Sequence, residues 1–280
     1  MATENFIDFN NVTFAYSAVE GDLDSDGKQI IPAPVFEHFT AQLPGGFTSL
    51  IGPNGSGKST FLMLASGRLV PQEGSIHLFG KQIPLLNEEQ KNLLASVIYQ
   101  NMEFETEEKV EQLLKFVYEN GSLKAKASAI KNGGDLYDEV VSVFELKNVM
   151  NHGLTKLSKG EIQRTLLAFS LLYGSKSIFM DEPLFAMEEP QKNSSLEYLR
   201  LFCEKTSVPV YISMHELDLS RRYAQNVMLF FPNRDITFGS PDEILVDEDL
   251  EKAYGFPASM LKNKEDMTRE QLLQISDALK

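Results

Sequence analysis

Residues 47–60 read FTSLIGPNGSGKST, with FLMLASGRL directly behind them. No other stretch constrains the fold as tightly. Residues 47–52 are apolar enough for a buried strand, the glycines at 52, 55 and 57 permit backbone angles closed to other residues, and the run after Thr60 reads as a helix. A strand that passes through a glycine-rich loop into a helix can turn consecutive backbone N–H groups inward on phosphates, with the positive end of the helix behind them. Lys58 adds a full positive charge, and the Ser59 hydroxyl is available to Mg²⁺ bridging two terminal phosphates. Asn54, Gly55, Ser56, Gly57, Lys58, Ser59 and Thr60 are therefore candidate nucleotide-binding residues.

Further short apolar runs at 96–99, 177–181, 208–214 and 226–231 alternate with helical patterns, which predicts a buried parallel sheet with crossover helices. Ahead of them, 6–16 and 35–43 partly alternate apolar with polar residues and read as strands. From 105 to 156 no strand pattern occurs, and EKVEQLLKFVYEN and LYDEVVSVFEL carry apolar residues at helical spacing. The expected class is α/β: a P-loop core with a mixed sheet and crossover helices, an N-terminal antiparallel β subdomain and an inserted α-helical subdomain. The expected division puts 1–100 and 174–240 in the nucleotide-binding core, 101–173 in the helical subdomain and 241–280 in a C-terminal helical extension. Thr268 and Gln271 are spaced as a capping box for its last helix.

Charge narrows the partners. With 26 Lys and Arg against 40 Asp and Glu, the net charge of −14 argues against nucleic acid, whose binding rests on cations replacing phosphate counterions. An anion must be met by a local reversal of sign, as at Lys58. The single cysteine, Cys203, cannot form an internal disulfide, and no basic segment leads into an apolar one at the start, so a reducing cytoplasm is expected. No apolar run approaches the roughly 18 residues that cross a bilayer.

Two later strands deliver reactive groups at their carboxyl ends, the edge where open parallel sheets gather ligands. SIFMDE ends in Asp181, suited to Mg²⁺, and Glu182, which can polarise a water for in-line attack on a γ-phosphate. VYISMH ends in His215, whose imidazole can hydrogen-bond that phosphate and that water.

In this order the residues resemble the ATP-binding cassette ATPases over nearly the whole chain. Tyr16 fits the family's adenine-stacking aromatic, GPNGSGKST its Walker A, and Gln100 its Q-loop glutamine, which touches Mg²⁺ and senses the transport partner. Leu157-Ser158-Lys159-Gly160-Glu161 is similar to the signature motif, Met180-Asp181-Glu182-Pro183 to Walker B, and His215 to the switch histidine. The resemblance implies ATP and Mg²⁺ as cofactors, and a dimer, expected to be a homodimer, in which Ser158 and Gly160 meet the γ-phosphate held by the second subunit. It also implies a separate membrane-spanning transporter subunit and a place on the cytoplasmic face of the membrane. HELDLSRRYAQNVMLF and DEDLEKAYGFP look most like the importers of metal chelates such as siderophores, haem or cobalamin. The alternative reading is a soluble ABC ATPase of the iron–sulfur assembly type.

The chain departs from the family in three places. Lys159 replaces the first glycine of LSGGQ, Phe185-Ala186-Met187-Glu188 replaces SALD, and 36 positions separate Tyr16 from Gly52, more than is usual. The surplus holds DLDSDG at 22–27, half of an EF-hand calcium loop whose twelfth position is Ala33 rather than Glu. That segment reads as a solvated hairpin tip, NKED at 263–266 as an exposed charged turn rather than a guanine-reading motif, and Cys203 as a core thiol.

Overall fold

The computed structural model describes residues 5–18, 21, 27–100, 102, 106–122, 134–257 and 261. The chain opens with β1 (Asn5–Phe14), β2 (Phe36–Pro44) and β3 (Phe47–Ile51), then α1 (Lys58–Ala65), β4 (Glu73–Leu78) and β5 (Lys81–Gln82). Next come α2 (Glu88–Leu94), β6 (Ala95–Ile98), α3 (Val110–Asn120), α4 (Leu136–Val143), α5 (Lys159–Tyr173) and β7 (Ser177–Asp181). After these lie α6 (Glu189–Thr206), β8 (Val210–Ser213), α7 (Leu217–Tyr223), β9 (Asn226–Phe230), β10 (Ile236–Gly239), α8 (Pro241–Ile244) and α9 (Asp247–Tyr254).

Two sheets form. The first, antiparallel, runs β2-β1-β4-β5, and the second runs β10-β9-β3-β8-β7-β6. In the second only the β9–β10 pair is antiparallel, so the sheet is mixed, as expected. Its central strands are buried on both faces, which explains their unbroken apolar runs. Alternation along each strand splits the core in two. Ile178, Met180, Val210 and Ile212 pack with the helices α4 to α7, while Phe179, Tyr211, Met228 and Phe230 face α1 and the first sheet. On that second side Phe179 stacks on Tyr211 with ring centroids 5.0 Å apart.

The expected helical stretch between 105 and 156 contains α3 and α4. Both pack on α5, and Arg164 of α5 donates from Nη1 to the Phe144 carbonyl at 2.9 Å just past α4. Three strands were not legible in advance: β4, β5 and β10. β10 is short and only half-buried, so its ladder to β9 rather than an apolar pattern defines it. The 268–271 capping box, most of the acidic hairpin and the NKED turn lie outside the described residues. Cys203 is buried, and that burial pushes its thiol up to about 11. No helix among the described residues is long and apolar enough to cross a membrane.

Candidate functional site

β3, β8 and β7 are parallel neighbours, so their carboxyl ends share one edge of the sheet. After β3 the chain enters the glycine loop at Gly52 with φ +147°, where a Cβ would stand 2.5 Å from the Phe230 carbonyl oxygen. Only glycine lets the loop leave β3 so close to β9. Lys58, at the start of α1, is 6% exposed, and its Nζ donates to the carbonyls of Gly52 at 2.7 Å and Pro53 at 3.0 Å. Burial lowers its pKa from the ordinary lysine value, against the opposing pull of the Glu182 and Asp181 charges. Nearby, the buried Ser56 Oγ has no hydrogen-bond partner. An orphaned hydroxyl in a loop with a buried ammonium fits a phosphate oxygen, which would supply the missing acceptor. Asn54, Gly55 and Ser59 are exposed, whereas Ser56, Gly57 and Thr60 are buried.

Tyr16 stands beside this loop, its hydroxyl 3.0 Å from Thr60 Oγ1 and its ring edge-on to Phe14. The ring is 46% exposed, consistent with a planar group stacking on it.

At the ends of β7 and β8 the expected acids and histidine come together. Gln100 Nε2 donates to Glu182 Oε2 at 2.8 Å, and His215 Nε2 lies 2.8 Å from Glu182 Oε1. Glu182 adopts φ +48°, a left-handed conformation that costs a non-glycine residue about 1–3 kcal/mol and turns the chain sharply after Asp181. One hydroxyl supports both acids: Ser213 Oγ accepts from the Glu182 N–H at 2.9 Å and donates to Asp181 Oδ1 at 2.6 Å. Ser213 was not among the expected site residues, and its only sequence signal is a small polar residue in an otherwise apolar strand, two positions before His215. Ser59, Asp181 and Gln100 offer hydroxyl, carboxylate and amide oxygens, the hard donors Mg²⁺ takes, with substrate phosphates completing the shell.

Ser158 and Gly160 are placed differently. Ser158 caps α5, its N–H and hydroxyl both donating to Glu161 Oε2 at 2.7 Å, while the Glu161 N–H donates back to Ser158 Oγ at 3.3 Å. These bonds hold the Glu161 carboxyl below the usual carboxylate range. At Gly160 a Cβ would meet the Ala186 carbonyl oxygen at 2.6 Å, and the Ala186 N–H donates to Gln163 Oε1 at 2.9 Å. The close contacts of Ser158 and Gly160 therefore run to Glu161 and to the 185–188 loop, not to the glycine loop of the same chain. Beside them the Phe185 side chain is 71% exposed.

A family model described as ABC transporter matches residues 39–185, a span from β2 past Glu182 that exceeds half the chain. The chain belongs to the ABC transporter family. Within it, an ABC transporter ATP-binding protein of Archaeoglobus fulgidus is 31% identical over 211 residues, 75% of this chain and 85% of that one. The petrobactin import ATP-binding protein FatE of Bacillus anthracis is 27% identical over 203 residues, covering 71% of this chain and 79% of its own. The hemin import ATP-binding protein HmuV of Rhizobium meliloti is also 27% identical, over 220 residues, 76% of this chain and 82% of its own. The fold matches an ABC transporter ATP-binding subunit with TM-score 0.69 at 19% identity, covering 92% of this chain and 98% of that one. It also matches a dimeric ATP-binding cassette bound to ADP and Pi, with TM-score 0.64 at 20% identity over 80% and 94% of the two chains. This ABC ATPase chain thus has the P-loop core, β subdomain and helical insert expected of it, and it binds and hydrolyses ATP.

Proposed function

We propose that this chain powers import of a metal chelate as the nucleotide-hydrolysing half of a dimer that docks on the cytoplasmic face of a separate membrane-spanning subunit. The observation that carries the catalytic part is the Gln100–Glu182–His215 cluster beside a buried Lys58. The metal-chelate assignment rests on the resemblance in 215–230 and 247–257 and on the relatives named for petrobactin and hemin import.

In this reading the 52–60 loop and Lys58 bind the phosphates, and Tyr16 stacks on the base. Mg²⁺, held by Ser59 and Asp181 with Gln100 beside them, would neutralise charge between the terminal phosphates. Glu182 draws a proton from the attacking water, and His215 holds that carboxylate and the water in line. Ser213 keeps Asp181 and Glu182 on their separate tasks by fixing one side chain and the other's main chain. Ser158 and Gly160 meet the nucleotide of the second copy, and the helical insert with Gln100 forms the docking surface for the membrane subunit. The division into core, helical insert and C-terminal extension follows the same roles.

The test starts with ATP affinity. Lys58→Ala should abolish binding, and retained micromolar affinity would refute the loop assignment. Glu182→Gln protein with ATP and Mg²⁺ should then recover a multi-span protein from detergent-solubilised membranes, whereas recovery of soluble partners alone would sink the transporter assignment.

A further inference from the structure

The turn between β9 and β10 is closed by its own atoms. The Phe231 N–H donates to the Asp235 carbonyl at 2.9 Å, the Arg234 N–H to the Phe231 carbonyl at 3.0 Å, and Asn233 Nδ2 to Asp235 Oδ2 at 2.6 Å. At its tip Arg234 takes φ +75°, a region that glycine enters freely and arginine only with strain. The turn alone would favour glycine there, so its side chain must be explained by something outside the turn.

That side chain reaches the glycine loop. Arg234 Nη1 donates to the carbonyl of Gly55, 179 positions earlier. The reach is short in space because β9 pairs directly with β3, so the turn after β9 flanks the loop after β3. A trans peptide sets the Ser56 N–H opposite the Gly55 carbonyl, and that N–H points back toward the Pro53 carbonyl at 3.3 Å, inside the loop. Gripping one end of the plane fixes the other.

We propose that Arg234 is a positioning residue for the phosphate loop, holding the Gly55 carbonyl from outside so that the Ser56 amide stays turned in, and adding a cation at the loop's rim. A guanidinium suits the task because it keeps its charge and spends a directional donor on the carbonyl. In a chain of net charge −14, a permanent cation at the loop's rim also favours an anionic ligand. The inference rests on the proposal that residues 52–60 hold ATP.

Arg234→Gly separates the side chain from the turn, because glycine fits φ +75° without strain. Affinity for a fluorescent ATP analogue should fall about tenfold, the scale of one charge-assisted hydrogen bond, with the thermal midpoint unchanged or raised. KM for ATP should rise by a similar factor while kcat stays within twofold, and Arg234→Lys should recover part of the loss. Affinity of Arg234→Gly within twofold of the unaltered chain would overturn the proposal. So would a loss accompanied by a lower midpoint and no recovery in Arg234→Lys, which would mark a merely structural role. If the unaltered chain bound no ATP, the loop assignment itself would fail and this inference with it.

Discussion

The His215 imidazole and the Glu182 carboxylate meet at 2.8 Å although 33 positions separate them in the chain. They meet because β7 and β8 are paired in parallel with Asp181 opposite Ser213, so the residues just past each strand emerge side by side. With Gln100 on the other carboxylate oxygen, Glu182 is a side chain fixed at both ends and 14% exposed.

Removing the charge of Glu182 while keeping its shape tests the general-base role proposed for it. Glu182→Gln should leave ATP affinity intact and cut turnover by roughly 10²–10⁴. Phosphate release and equilibrium nucleotide binding on the same preparation check this, and normal turnover would remove Glu182 from the general-base role.

Gly160 is closed to any side chain by a main-chain oxygen, which a rotamer change cannot move. Gly160→Ala should therefore displace either the start of α5 or the 185–188 loop, lowering stability by about 1–3 kcal/mol. Chemical denaturation measures the loss; an unchanged midpoint would show that the loop yields freely.

Glu216 follows His215, accepting from Lys192 of α6 through Oε1 and from the His215 N–H through Oε2 at 3.3 Å. Burial alone would raise its pKa, but the attraction and hydrogen bond of Lys192, together with the backbone N–H groups of Glu216 and His215, prevail and leave it below the ordinary glutamate value of 4.5. A carboxyl lowered by folding stabilises the fold above its unfolded value, and that contribution fades as pH falls below 4.5 through its folded value. The stability gap between the unaltered chain and Glu216→Gln should be full at pH 7 and shrink on acidification. A gap independent of pH would show that the amide loses contacts rather than charge.

Ser158 tests the second copy's part. Introduced into Glu182→Gln, Ser158→Arg should leave ATP binding by the monomer unchanged and prevent an ATP-dependent dimer. Size-exclusion chromatography with and without ATP gives the answer, and a dimer of undiminished yield would rule out a nucleotide contact at Ser158. The same comparison with Ser158→Ala controls for loss of the helix cap, which should cost only about 0.5–2 kcal/mol.

The strand, glycine loop and helix around Lys58 were legible in the sequence because each is a local matter: apolar runs set the strand, and glycines set the turn. The same holds for Asp181, Glu182 and His215, each placed at a strand end by the apolar run before it. β4, β5 and β10 carry no such apolar run, and β10 is only four half-buried residues paired with β9. Side-chain partners distant in the chain were decided by tertiary structure alone. Parallel pairing of β7 and β8 brings Ser213 to both acids, and the approach of Ala186 to Gly160 joins the 185–188 loop to α5. The reach of Arg234 to Gly55 depends on β9 lying beside β3, a neighbour relation that no spacing along the chain encodes. Sequence periodicity reports which face a residue turns to its own element's surroundings; which distant residue waits on that face is set by how the sheet orders its strands.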